Sequence, residues 1–481
     1  MQFDVLLEEL ISSIPDYVSF LTVDELNASS AELAAEYPSV GLKTAGYSRN
    51  GDPIDALHIG KGKRTALLFG APHPNEPIGC MMLEFLARKL AEDKDFLEWT
   101  GFRWVIVKCA DPDGTRLNEG WFKGPFTPLH YAKNFYRPPH FQQVEWSFPV
   151  KYKKLNFDSP IPETKAIMGL IEREKPSFIY SLHNAGFGGA YYYVSKPCEP
   201  LYKRYREGAR NQGIPLHLGE PEMPYAKKLS EAVYLMPSIQ ETYDYLEKYT
   251  DKDPAEIIKG GAGSTDYARR IVPDVFSLVC EVPYFYDPRI DDLTESDVKR
   301  RDAILHSVEL SSGMFSFLKE RYKEIEGLLA VPSKFKEAIE ENLRTMPAHL
   351  EAKCKWAETT EGLDDLATVS QKFDNQVITR FYGMLSFGMF IRMIDQQLEM
   401  TVDVQERKKL EAVKSEVEEE LERHNRELLK DLNYEVIPIK KLVAVQLWAA
   451  LATIDWLRKG GKGKGEQFRQ NSGKRNKKEG G

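Results

Sequence analysis

Three short apolar runs in this chain end directly in residues that bind metals or move protons, and nothing else in the sequence restricts its fold as much. Residues 64–71 (RTALLFGA) lead into His73 and Glu76, residues 177–182 (SFIYSL) into His183, and residues 275–280 (VFSLVC) into Glu281. Runs of this length, rich in β-branched and aromatic side chains, read as buried strands, and residues 103–109 (RWVIVKC) read as a fourth. Stretches of helical period follow at 78–92, 163–175 and 264–270. This alternation over residues 1–330 predicts an α/β fold with a largely parallel sheet covered by helices. In such sheets ligands bind beyond the carboxyl ends of the strands, which is where these four polar residues fall.

The pattern His-x-x-Glu occurs four times, at His73–Glu76, His217–Glu220, His306–Glu309 and His424–Glu427, so spacing alone selects none of them. His424–Glu427 lies in a charged helical stretch and reads as a solvated face, and His306–Glu309 reads as helix surface. His217–Glu220 follows a weak apolar run and is the one serious competitor. His73–Glu76 alone has a strand before it, a turn-forming Pro74-Asn75 inside it, and Pro77 to open the next helix. Two imidazoles and a carboxylate leave one position open on a tetrahedral zinc ion, the arrangement of a catalytic site. His73, Glu76 and His183 are therefore the candidate ligands of one Zn²⁺ per chain, an ion that lowers the pKa of bound water towards 7. A second carboxylate must then take and return protons without ligating the metal. Glu281, desolvated at the end of a buried run, suits that role, while taken in isolation it reads first as a structural ion-pair residue at a strand end.

Beyond about residue 331 strand-like runs nearly vanish. Residues 373–400 and 405–432 carry apolar side chains at helical spacing, and 442–457 is the longest apolar stretch. That stretch contains Gln446 and Asp455 and is shorter than the roughly 20 residues of a spanning helix, so it reads as a buried helix. The chain divides into a catalytic region 1–330, a helical region 331–457 and a disordered basic tail 458–481. The tail holds nine Lys/Arg against two Glu, so a chain of net charge −8 has a body near −15. An acidic body disfavours nucleic acid, whose phosphates need clustered cations. Five cysteines without a CxxC pair read as reduced thiols, and the first residues lack a signal peptide, so a cytoplasmic location is expected. The helical region is a candidate surface for a protein partner or for self-association.

Residues 32–76 (ELAAEYPSVGLKTAGYSRNGDPIDALHIGKGKRTALLFGAPHPNE) resemble the start of a zinc metallocarboxypeptidase catalytic domain. Asp111-Pro-Asp-Gly-Thr-Arg116 resembles the family's Asn-Pro-Asp-Gly segment and the arginine beyond it, and Ser181-Leu-His183 resembles its third-ligand strand. Gly263-Ser-Thr-Asp266-Tyr, with Glu281 fifteen residues after Asp266, resembles the Gly-Ser-x-Asp-Trp and catalytic-glutamate segments. The resemblance runs in consistent order from about residue 21 to 287. It implies a mixed eight-stranded sheet between helices and zinc on His73, Glu76 and His183. It further implies Glu281 as general base and then acid, with Arg116 stabilising the oxyanion. The implied reaction is hydrolysis of a peptide or amide bond, with release of a C-terminal residue. An amidase or deacylase acting on a small or cell-wall-derived compound is the nearest alternative. A catalytically silent scaffold working through the helical region is a further one.

The chain also departs from the family pattern. Where the family carries Asp-Leu-Asn-Arg-Asn-Phe to clamp a substrate carboxylate, this chain has His130-Tyr-Ala-Lys133-Asn134-Phe-Tyr-Arg137. Lysine lacks the bidentate fork of arginine. Lys133, Asn134 and Arg137 are thus candidate substrate-binding residues, and Thr265 falls where the side-chain pocket is usually read. His130 replaces an aspartate that would orient a ligand histidine. Ile258 stands in the place of a mobile tyrosine, with Tyr243, Tyr245 and Tyr249 nearby.

Overall fold

A computed structural model describes residues 3–430 and 432–461. The basic tail is outside the described residues from position 462 onward. The central sheet has nine strands: β1 (Val40–Tyr47), β2 (Pro53–Ile59), β3 (Arg64–Phe69), β4 (Phe102–Val107), β5 (Phe178–Leu182), β6 (Tyr191–Val194), β7 (Lys228–Ser230), β8 (Val233–Leu235) and β9 (Phe276–Glu281). Their spatial order is β1-β2-β4-β3-β5-β9-β6-β8-β7. That is one strand more than the eight implied by resemblance. The middle of the sheet, β4-β3-β5-β9, is parallel throughout, and antiparallel pairs flank it, so the sheet is mixed. The chain leaves β3 for β4 on one side and later returns to pair β5 on the other. This reversal opens a crevice at the carboxyl ends of β3 and its neighbours.

Alternation along the strands builds two cores. Ala66 and Leu68 of β3, with Phe178, Tyr180 and Leu182 of β5, face one side, while Leu67, Phe69 and Ile179 face the other. The first side is covered by α2 (Ile78–Glu92) and α5 (Glu199–Asn211), the second by α4 (Pro162–Glu174) and α6 (Ser264–Ile271). Further helices are α1 (Val23–Glu36), which a Thr22–Glu25 capping box opens, and the short α3 (Pro128–Asn134). Residues 114–162 and 215–263, dense in Gly, Pro and aromatic residues and read from the sequence as loop-rich, contain ordered elements, α3 in the first and a helix at Ile239–Tyr249 in the second.

The C-terminal half is helical, as its periodicity predicts, but the division near residue 331 does not separate two cores. A bundle forms from α7 (Arg300–Ile325), α8 (Lys334–Thr359), α9 (Thr379–Met400) and α10 (Val404–Lys430), so it begins before that position. The last helix, α11 (Ile439–Arg458), leaves the bundle and packs on α2 and α5 against the sheet. One apolar core runs from Leu6 through the sheet face and the bundle to Trp456. Among the described residues, Val369–Met400 is the one helical stretch long and apolar enough to cross a membrane, and 61% of its most apolar window is buried inside the fold.

Candidate metal centre

The three candidate ligands converge. One ligand atom from each of His73, Glu76 and His183 lies within 4.8 Å of the others, and all three residues are buried. The register explains why. Phe69, Ser181 and Val279 are aligned across β3, β5 and β9, so His183 and Glu281 leave adjacent strands at the same level. Beyond β3, Ala71 turns through the left-handed region (φ +46°), which carries strain for a residue with a Cβ, and brings His73 back over the strand ends. Glu76 then precedes α2, whose Ile78 N–H donates to Asn184 Oδ1 at 3.2 Å and ties the two ligand loops together.

His183 Nδ1 lies 3.0 Å from Glu76 Oε2, and the two imidazole rings meet edge to face at 4.7 Å between centroids. Ser181 Oγ lies 2.9 Å from His183 Nε2. With Nδ1 kept as a lone pair for a metal, Nε2–H donates to that hydroxyl and fixes the ring. His73 Nδ1 is buried with no hydrogen-bond partner among the described residues. Buried polar atoms are seldom left this way, and a cation shared with Glu76 and His183 would satisfy it. Burial, then the positive charge of Arg137, holds the His73 pKa well below its ordinary value, so the ring is neutral as a ligand must be. The donor set fits zinc.

Glu281 Oε1 stands 4.0 Å from His183 Nδ1, beside the ligands and outside their cluster. Burial, then the charges of Glu76 and Glu222, pushes its pKa well above the carboxylate range, and Arg137 acts against them. Arg137 Nη1 donates to Glu76 Oε1 at 3.0 Å, and its Nε donates to Gln143. A family model described as zinc carboxypeptidase matches residues 26–282, more than half of the chain. The chain belongs to the zinc carboxypeptidase family. That family is made of zinc-dependent hydrolases, in agreement with the donor set.

No curated protein matches the chain. Among solved structures, carboxypeptidase A from Helicoverpa armigera is 14% identical, over 75% of this chain and 80% of its own, with a TM-score of 0.34. A metallo-carboxypeptidase from Burkholderia cenocepacia is 15% identical over 55% and 60%, with a TM-score of 0.33. Murein-tripeptide amidase from Escherichia coli O157 is 14% identical over 50% and 83%, with a TM-score of 0.27.

The remaining residues singled out in the sequence make the following contacts. Arg116 is committed to Asp52 (2.8 Å) and Asp24 (2.7 Å), because the short segment after Asp111 sends it back to α1 and the β1–β2 turn. The guanidinium whose charge reaches His73 and Glu281 is that of Arg137. Lys133 pairs with Glu422 of α10 at 2.9 Å, and Asn134 Nδ2 donates to the His130 carbonyl at 3.0 Å. Thr265 is buried in the first turn of α6, which Glu145 caps through Ser264. Tyr243 is buried in the second core, Tyr245 and Tyr249 pack on each other, and Ile258 is apolar core.

The competing histidines resolve as well. His217 Nε2 lies 3.2 Å from Asp374 Oδ2 while Glu220 pairs with Arg300, so they hold no metal between them. His424 is buried, not solvated, with Arg380 on its Nδ1 at 2.9 Å.

The tyrosine that does reach the centre is Tyr382 of α9. Its hydroxyl accepts from Gly186 N–H at 3.2 Å, on the loop after His183. Although 43% of the residue is exposed, desolvation and then the charges of Glu281 and Glu222 raise its pKa. Phe381 beside it stacks on Tyr131, whose hydroxyl accepts from Asn75 between the two ligands of the first loop. No local pattern in the sequence marks this residue.

Proposed function

We propose that this site hydrolyses a peptide or amide bond held across the ends of β3, β5 and β9, with removal of a C-terminal residue as the first reading. One observation carries it: a buried His-Glu-His set with a fourth, non-ligating carboxylate 4.0 Å from one of its imidazoles. His73, Glu76 and His183 hold the zinc, which when bound supplies a Lewis acid that lowers the pKa of water and polarises a carbonyl. Glu281, its proton affinity raised by burial and neighbouring carboxylates, takes a proton from the attacking water and returns it to the leaving nitrogen. Arg137 is the cation placed to offset negative charge growing on the carbonyl oxygen. Tyr382 accepts from Gly186, which leaves its own O–H to donate to substrate.

Release of a C-terminal residue also needs a cation for the free carboxylate. Lys133 meets that need only by exchanging Glu422, a pair 41% and 40% exposed and worth about 1 kcal/mol or less. An amidase or deacylase on a small or cell-wall-derived compound needs no exchange, and the engagement of Lys133 and Asn134 favours that second reading. The two separate in a comparison of a peptide with its C-terminal amide. A rate at least tenfold higher for the free acid supports the first reading, and equal rates support the second. In either case a chelator abolishes hydrolysis. Glu281→Gln lowers it by about 10²–10⁴-fold while the protein retains about one zinc per chain. Activity retained in Glu281→Gln overturns the assigned role.

A further inference from the structure

The apolar helix α11 buries one carboxamide against the sheet. Gln446 is fully enclosed, and its Nε2 donates to the His183 carbonyl at 2.6 Å and to the Cys280 carbonyl at 3.4 Å. The Tyr180 hydroxyl, from the same strand as His183, donates to the Gln446 backbone carbonyl at 3.2 Å. Gln446 Oε1 has no partner among the described residues. An amide buried with part of its hydrogen bonding unmet is destabilising, and an apolar side chain of the same length would fill the space without that cost. What the amide does hold is specific. His183 is the third metal ligand, and Cys280 immediately precedes Glu281. The ladder between β5 and β9 ends at Leu182–Cys280, so the two strands part where the site opens.

We propose that Gln446 is a positioning residue that bridges the ends of these two strands and sets the separation of His183 from Glu281. Helix α11, outside the family-matched segment 26–282, is thereby part of the active site. This assignment rests on the zinc-hydrolase reading of the centre. Displacements of about 1 Å at reacting groups cost on the order of 100-fold in rate. Supports behind metal ligands are typically worth about 10–100-fold in metal affinity or activity.

The test compares zinc-loaded wild type with Gln446→Met, which keeps the length and removes both donors. Asp455→Asn serves as a control on the same helix, where Asp455 holds Arg204 (3.0 Å) and Lys459 (2.8 Å) away from the strand ends. Release of zinc to a fluorescent chelator is measured beside kcat, KM and melting temperature. For Gln446→Met, zinc release about tenfold or more faster and kcat about tenfold or more lower, with KM within about threefold, are expected. Asp455→Asn is expected to lower the melting temperature and leave zinc release and kcat unchanged. Wild-type zinc release and kcat in a folded Gln446→Met overturn the assignment, as do equal effects from both variants. Should Gln446→Met not fold, Gln446→Asn, which keeps the amide but is too short to reach both carbonyls, is read by the same criteria. A wild-type protein that takes up no zinc would instead defeat the reading of the metal centre itself.

Discussion

At the scale of single residues, the neighbourhood of the centre combines groups whose charge burial disfavours. Asp111 is an example with a consequence for stability. It is fully buried, it caps a short helix by accepting from Gly114 N–H at 2.9 Å, and Arg49 approaches no closer than 3.9 Å. Burial outweighs Arg49, and with Glu163 nearby the Asp111 pKa is pushed up to about 6. A carboxyl whose folded pKa is raised binds a proton that the unfolded chain has already lost between about pH 4 and 6. Its contribution therefore falls as pH rises through that window. Asp111→Asn keeps the capping oxygen and removes the buried charge. It should raise stability at pH 7 by up to about 3 kcal/mol, less whatever Arg49 loses, and flatten the decline between pH 4 and 6. Urea unfolding at several pH values measures both, and parallel profiles for wild type and variant would contradict the cause given.

At the scale of elements, the position of α9 decides whether Tyr382 reaches the centre. The helix crosses α3 at Gly388, where a Cβ would collide with the Ala132 carbonyl. Only glycine permits that approach. Arg392, one turn further on, donates to the Asn134 carbonyl at 2.8 Å and fastens the same crossing. Two turns before Gly388 on the same face, Phe381 meets Gly186, where a Cβ would come 2.6 Å from its ring. Gly388→Ala must push α9 off α3, at a cost of about 1–3 kcal/mol or more. Hydrolytic activity should fall further than that loss of stability explains, since the shift carries Tyr382 with it. Denaturant midpoints set beside kcat test this, and full activity in a destabilised variant would detach Tyr382 from the reaction.

At the scale of the whole molecule, the sheet and the helices after residue 331 share one core. Leu442, Val443, Leu447, Ala450, Leu451 and Ile454 of α11 are fully buried, and Trp456 meets Phe276 of β9 edge to face at 5.1 Å. At about 1.5–3 kcal/mol for each large aliphatic side chain, removing this helix withdraws roughly 10 kcal/mol, comparable to the whole stability of a typical domain. A fragment of residues 1–330 should therefore give no cooperative thermal transition and retain no zinc, although it contains every candidate ligand. A soluble fragment that melts cooperatively with zinc bound would show that the sheet stands alone.

The convergence of His73, Glu76, His183 and Glu281 is legible in the sequence because each sits at or a few positions beyond the end of a strand whose burial its own side chains declare, and parallel strands in register carry their ends to one level. The sheet and the helical character of the C-terminal half are legible for the same local reason. The division at residue 331 is not, because shared burial leaves no mark in periodicity. Arg116 follows a familiar motif, yet a short segment returns it to Asp24 and Asp52, and the cation paired with Glu76 is Arg137. Tyr382 and Gln446 lie 196 and 263 positions from the residues they touch. No local pattern marks Tyr382, and Gln446 reads as an interruption in an apolar run. Only the crossing of α9 over α3 and the seating of α11 on the sheet bring them to the centre, since such contacts arise from packing between helix faces and not from the order of neighbours along the chain.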